Sequence, residues 1–238
     1  MQPFFDKPRN RRCKRGSTRG MTRRVGVVRF PGTNCEFDTI DAIRMLGGDA
    51  EILWHGDPSL KNVDAIVIPG GFAHGDYLRC GAIARFSPVM GAVASFAQEG
   101  GPILGICNGF QVLTEAGLLP GALQKNVGMK FLCSMQQVEF VSTQNILGRG
   151  SEVGDHLQIP INHFEGNYVC SPEVLSRIET REQIVFRYTD NPNGSTKDIA
   201  GVCNEAGNVV GMMPHPERAT SALLGSSDGA SVIKSFLS

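Results

Sequence analysis

The sequence predicts an α/β fold, a doubly wound and mostly parallel sheet that gives way to a strand-rich C-terminal half. Three observations carry that expectation. Short apolar runs alternate with helical periodicity between about residues 25 and 116, and most of the runs stop at glycine or proline. From about residue 131 the pattern changes to consecutive strands. A β-α-β-α order requires parallel strands joined by right-handed crossovers. No repeat, low-complexity tract or linker marks a second domain, so the expected division is a basic, disordered extension over 1–23 and one domain over 24–238.

The elements follow in order. Residues 25–30 read as the first strand, and Pro31-Gly32-Thr33-Asn34 leads into a helix through Ile40, Ile43, Met45 and Leu46 that Gly47-Gly48 ends. Residues 50–54 and 65–68 are the second and third strands, the latter stopped by Pro69-Gly70-Gly71. A helix is expected over about 82–98, the central strand over 103–106 and a further helix over 109–116. Strands are then expected at 131–141, 158–161, 168–170, 184–188, 199–203 and 209–213. Asn191-Pro192-Asn193-Gly194 signals a turn between two of them, and a short helix over 230–237 closes the chain.

Composition narrows the class. A chain of 238 residues, 41% of them hydrophobic, suits one domain that buries about 70–75% of its unfolded surface. No apolar stretch approaches the ~20 residues that a membrane span needs. Seven cysteines without paired spacing argue against a disulfide framework and for a reducing cytoplasm. No clustered Cys/His spacing suggests zinc or another metal. The net charge of zero hides an asymmetry: residues 1–24 carry nine of the 23 Lys and Arg but one acid, Asp6. That segment has no apolar core of a secretory signal, and no nucleic-acid-binding fold follows it. It reads as an upstream extension before Met21, which lies just ahead of the first strand.

Chemistry concentrates in two short stretches. Cys107 ends the central strand with Gly105 and Gly109 at i−2 and i+2, the spacing of a nucleophile elbow with cysteine in place of serine. Such an elbow lifts the side chain off the sheet and aims the following N–H groups and a helix N-terminus at one point. A lone cysteine in an apolar run is ordinarily an inert core thiol, and the other six, Cys13, Cys35, Cys80, Cys133, Cys170 and Cys203, read that way. Pro214-His215-Pro216-Glu217 supplies a base and its orienter. Residues before proline are pushed towards extended geometry, which would put His215 and Glu217 on one side of the chain. The carboxylate would then fix the ring tautomer and leave the other nitrogen for the thiol proton.

Thiolate attack on an amide creates an oxyanion that needs preorganised donors. The Asn108 N–H is one, and Gly70-Gly71-Phe72 at the end of the neighbouring strand is a second source. The Gly-Gly pair reads equally well as an ordinary strand-to-loop turn. Neither a phosphate-binding loop nor a dinucleotide fingerprint occurs in the chain. Whatever the nucleophile releases is therefore expected to be used elsewhere.

With these residues in view, the chain resembles the class I glutamine amidotransferases, and more narrowly the family of glutaminase subunits of phosphoribosylformylglycinamidine synthase. The resemblance runs from about Arg24 to the C-terminus. It rests on Phe30-Pro31-Gly32-Thr33-Asn34-Cys35, Pro69-Gly70-Gly71-Phe72, Gly75-Asp76-Tyr77-Leu78-Arg79, Gly105-Ile106-Cys107-Asn108-Gly109-Phe110-Gln111, Asn191-Pro192-Asn193-Gly194-Ser195 and Pro214-His215-Pro216-Glu217-Arg218. It implies a flavodoxin-like, class I glutamine amidotransferase-like sheet over 24–238. Cys107 would be the nucleophile, His215 the base and Glu217 its orienter. Backbone N–H groups near Gly71, Phe72 and Asn108 would hold the oxyanion, and Gln111 would help hold glutamine. His163, in a stretch where the family reads His-Gly-Glu-Gly, would belong to a substrate or interface loop, with Phe164 replacing a glycine. The family usually lacks the extension before Met21.

The implied reaction is hydrolysis of L-glutamine to glutamate and ammonia through a cysteine thioester. The ammonia would pass to a large synthetase subunit that uses ATP and magnesium to convert formylglycinamide ribonucleotide to its amidine in purine biosynthesis. A small bridging subunit often joins the two. No cofactor is expected on this chain, and neither nucleic acid nor membrane as a partner. The residues also admit a glutaminase serving another pathway, a cysteine hydrolase on the same sheet, or a non-catalytic α/β binding protein.

Overall fold

The computed structural model describes residues 22–238, and the expected extension lies outside the described residues apart from its last two positions. The first half alternates as expected: β1 (Arg24–Arg29), α1 (Glu36–Met45), β2 (Asp49–Trp54), β3 (Ala65–Ile68), α2 (Pro88–Gln98), β4 (Ile103–Ile106) and α3 (Asn108–Glu115). There follow β5 (Ala122–Gln124), β6 (Leu132–Phe140), β7 (His156–His163), β8 (Asn167–Val169), α4 (Pro172–Thr180), β9 (Ile184–Tyr188), β10 (Ile199–Cys203), β11 (Val209–Met212) and α5 (Gly229–Phe236).

Nine strands form one sheet in the order β2-β1-β3-β4-β11-β10-β9-β6-β7. From β2 to β11 neighbours run parallel, and from β11 to β7 they run antiparallel. The composition of the strands explains the division. β3 and β4 are fully buried four-residue apolar runs, as parallel strands covered on both faces should be. β6 and β7, at the edge, are less covered: Cys133, Ser134, Met135, His156 and Gln158 are exposed. β11, late in the sequence, is inserted between β4 and β10, with Gly211 opposite Gly105 and Met212 opposite Ile106.

Three expectations needed correction. The helix expected over 82–98 is two pieces, a 3-10 turn Ala84–Phe86 and then α2, because Ser87 is extended (φ −63°, ψ 142°) ahead of Pro88, the geometry that a following proline imposes. The strand expected at 168–170 lies outside the large sheet, and pairs as β8 with the short β5. The C-terminal half also holds α4, which the strand pattern did not anticipate. Its signal was present: the Ser171 side chain caps Val174 N at 3.3 Å and Pro172 occupies the first turn. Among the described residues no helix is long and apolar enough to cross a membrane.

Candidate active site

β4 delivers Cys107 to the C-terminal edge of the parallel strands, where open α/β sheets place their ligands. The residue has φ 50° and ψ −106° at the N-cap of α3, a strained conformation that costs about 1–3 kcal/mol and persists only when its surroundings enforce it. The flanking glycines show how. A Cβ at Gly109 would lie 1.8 Å from the Ile68 carbonyl oxygen, and one at Gly105 would lie 2.9 Å from that of Gly109. The backbone of α3 thus rests directly on β3 and β4. The Cys107 N–H donates to the Met212 carbonyl at 2.8 Å and fastens the turn to β11.

β11 ends beside β4, so the chain beyond it arrives at the same edge. His215 and Glu217 are both buried, and the ring Nδ1–H donates to Glu217 Oε1 at 2.7 Å. The pairing does not come from a continuing extended chain. His215 (φ −102°, ψ 86°) precedes a 3-10 turn Pro216–Arg218 that folds Glu217 back onto the ring. The His215 Nε2 has no protein partner. Burial favours neutral imidazole, but the Glu217 carboxylate and then the Cys107 and Cys35 thiols outweigh it and hold His215 well above the ordinary histidine range. Gly70 marks where these groups converge: a Cβ there would lie 2.7 Å from His215 Cε1, 3.1 Å from Cys35 Sγ and 3.5 Å from Cys107 Cβ.

Cys35, expected to be an inert core thiol, is buried, and it lies beside His215 and Cys107. Its Sγ accepts from Arg218 Nη2 at 3.3 Å, while Arg218 Nε donates to Asp38 at 3.1 Å. Donor atoms of Cys35, His215 and Glu217 lie within 4.8 Å of one another. Sulfur, nitrogen and oxygen could hold a metal ion, but the Arg218 guanidinium opposes a cation at that sulfur. Cys80 also lines the cavity. Neither thiol stood out in the sequence, because the loops that carry them meet Cys107 only in three dimensions.

The oxyanion donors are narrower than expected. The Phe72 N–H is engaged by the Gly32 carbonyl at 2.8 Å and points away from the thiol's needs. The Asn34 and Cys35 N–H groups both donate to the Gly70 carbonyl, at 3.2 and 3.1 Å. Gly71, at φ +146°, is packed so closely on this loop that a Cβ would fall 2.5 Å from Asn34 N. The N–H groups of Gly71 and of Asn108, at the start of α3, remain without a backbone acceptor among the described residues. The Phe72 side chain stands exposed at the rim.

Asn108 and Gln111 tie the walls together. The Asn108 side chain accepts from Ala73 N at 3.0 Å and donates to Asp76 Oδ1 at 3.0 Å and to Gln111 Oε1 at 2.8 Å. Gln111 Nε2 donates to the Glu165 carbonyl. The Gln111 amide, expected to hold substrate, thus clamps the β7–β8 loop to α3. His163, the last residue of β7, is buried with both ring nitrogens lacking a partner, and burial, then the His215 charge, lower its pKa to about 4. Cys107, His215, Gln111, His163, Asp76 and Glu165 all line one cavity of about 390 Å³.

A thiol on a strained elbow, a carboxylate-oriented imidazole and a half-enclosed cavity are the arrangement of a nucleophilic-cysteine site at the edge of an α/β sheet. The chain belongs to the CobB/CobQ-like glutamine amidotransferase domain family, whose profile matches residues 22–228. Within that family its relatives are specific. The phosphoribosylformylglycinamidine synthase subunit PurQ of Rubrobacter xylanophilus is 52% identical over 90% of this chain and 97% of that protein. The subunit of the same name from Helicobacter hepaticus is 52% identical over 90% of this chain and 96% of its own length. Among solved structures, a chain of PurLQS from Thermotoga maritima superposes with a TM-score of 0.85 at 40% identity, covering 91% of this chain and 98% of that one. A glutamine amidotransferase of Thermotoga maritima, 19% identical with a TM-score of 0.56 over 83% of this chain and 77% of its own, shares the fold.

Proposed function

We propose that this chain is the glutaminase subunit of a phosphoribosylformylglycinamidine synthase: it hydrolyses L-glutamine and supplies the ammonia for amidine formation in purine biosynthesis. The observation that carries the reading is the Cys107–His215–Glu217 arrangement in a chain half identical, along nearly all of its length, to proteins of that name. The Cys107 thiolate attacks the amide carbon of glutamine. The Gly71 and Asn108 N–H groups stabilise the resulting oxyanion. Collapse breaks the C–N bond as His215, protonated through its pairing with Glu217, donates a proton to the departing ammonia. A water molecule, deprotonated by His215, then hydrolyses the γ-glutamyl thioester and releases glutamate.

The ammonia passes to a large synthetase subunit, which uses ATP and magnesium, with a small subunit bridging the two in a cytoplasmic complex. The Thermotoga maritima assembly, whose name joins three subunit letters, supports a multi-subunit arrangement. The test is Cys107→Ala assayed in the reconstituted complex with glutamine and with free ammonia. Glutamine-dependent synthesis falls by about 10³-fold or more, the scale of losing a nucleophile, while ammonia-dependent synthesis persists. Equal loss of both activities in a folded protein would rule the reading out.

A further inference from the structure

One wall of the cavity has little regular structure to hold it. His163, Phe164 and Glu165 all line the space that Cys107 lines, yet residues 164–166 belong to no strand or helix and connect β7 to β8. Among the described residues, the one backbone–backbone hydrogen bond to residues 164–166 comes from Asn126 N, which donates to the Phe164 carbonyl at 2.9 Å. The other bonds that fix this backbone come from side chains, and two buried asparagines supply most of them.

Asn126, in the loop between β5 and β6, is 1% exposed. Its Nδ2 donates to the His163 carbonyl at 3.0 Å and to the Lys130 carbonyl at 2.9 Å, and its Oδ1 accepts from Gly166 N at 3.1 Å. One amide therefore grips both ends of the wall. Asn193, equally buried, reaches the same place from the turn between β9 and β10. Its Nδ2 donates to the Gly166 carbonyl at 2.8 Å, while its Oδ1 accepts from Ser195 N at 3.0 Å and from Ser195 Oγ at 2.8 Å. The two gripping loops are also joined to each other, because Val127 N donates to the Asn193 carbonyl at 3.0 Å. The gripped segment is tightly curled: a Cβ on Gly166 would lie 2.2 Å from Cε1 of the His163 ring. Neither asparagine lines the cavity. A buried polar network whose members are matched holds its parts rigidly, and here the part it holds is the cavity wall.

We propose that Asn126 is a positioning residue for the reaction: through the His163 carbonyl and Gly166 N it sets the shape of the wall against which glutamine binds, with Asn193 supporting the same segment from the other side. This rests on the glutaminase reading of Cys107 and extends it to a side chain that touches neither the cavity nor the triad. Cys107 is fixed by the start of α3, and His215 and Glu217 by the turn after β11. The clamp therefore governs substrate binding more than the chemical step.

The test compares Asn126→Ala with Asn208→Ala, each in the full chain assembled with its synthetase. Asn208 is buried too, and its Nδ2 donates to the Ala97 and Gly101 carbonyls at 2.9 Å, beside the start of β4 and away from Cys107 at its other end. Asn126→Ala should raise KM for glutamine by about tenfold or more, with kcat changed less than about threefold and ammonia-dependent synthesis intact. Asn208→Ala should lower Tm while moving KM by less than about twofold. A KM that stays within about twofold of the parent in Asn126→Ala, or that rises alike in both variants, overturns the proposal. Hydrogen exchange at the Gly166 amide needs no substrate, and it should quicken by about tenfold or more in Asn126→Ala. That readout separates the two ideas. A parent that never consumes glutamine refutes the glutaminase reading, whereas a Gly166 amide equally protected in parent and variant refutes the clamp. Should Asn126→Ala fold poorly, Asn193→Ala decides: KM should rise by about threefold or more, and an unchanged KM overturns the proposal.

Discussion

Two histidines face one cavity from different regions of the chain, and their surroundings drive them in opposite directions. His215 follows β11 and has a carboxylate 2.7 Å from its Nδ1; His163 ends β7 and has no partner at either nitrogen. Both are buried. Burial alone makes imidazole neutral, which is the state of His163. A single carboxylate in the right turn reverses the outcome, which is the state of His215. Depth in the protein therefore does not decide which ring is protonated. The local turn Pro216–Arg218 does, because it brings Glu217 back to the ring.

The comparison breaks most severely at Glu217. Glu217→Gln removes the charge that keeps His215 protonated and leaves it in the condition of His163, so glutamine hydrolysis at neutral pH should fall by about 10³- to 10⁴-fold, measured as glutamate release by the complex. The stability that the raised His215 pKa supplies is present below the ordinary value of about 6.5 and lost as pH rises through the folded value. The variant should therefore lose more stability at pH 6 than at pH 9, read from its Tm.

His163 should show the opposite linkage. Its folded pKa of about 4 lies below the unfolded value, so the unfolded chain binds the extra proton and stability drains as pH falls between roughly 6.5 and 4, by up to about 3 kcal/mol. His163→Gln should flatten that dependence in denaturant titrations at pH 7 and pH 5. An unaltered slope would mean that the ring is not buried neutral. The smallest effect belongs to the seam beside the two walls, where Arg79 meets Glu115 in an exposed, two-pronged pair at 2.6 and 2.7 Å. Solvent screens such pairs, so Arg79→Ala should cost less than about 1 kcal/mol in the same titrations.

The features read correctly from sequence were those whose meaning is local. Gly105, Gly109 and Cys107 lie within five residues, and steric contact between α3 and the strands beneath it demands that spacing. His215 and Glu217 were legible for the same reason, although a 3-10 turn rather than an extended chain brings them together. The proximity of Cys35 to His215 was not legible, because it depends on the pairing of β1, β3, β4 and β11. Nothing around Asn34 announces that contact. The engagement of the Phe72 N–H was not legible, because a glycine-rich strand end supplies N–H groups in sequence, while the neighbouring loop, through the Gly32 carbonyl, decides which remain available. The parallel core was readable from its apolar runs. α4 was missed because the surrounding strand pattern was carried across a Ser-Pro cap that should have interrupted it.

The place of β11 has a consequence for how the protein is made. Residues 209–212 emerge from the ribosome near the end of synthesis, yet they occupy the middle of the sheet, between β4 and β10. Until they arrive, β4 and β10 lack their common neighbour, and unpaired strand edges invite association with other chains. The same four residues lead directly to His215. A nascent or truncated chain thus carries Cys107 without His215, and the two side chains meet only once the sheet has closed.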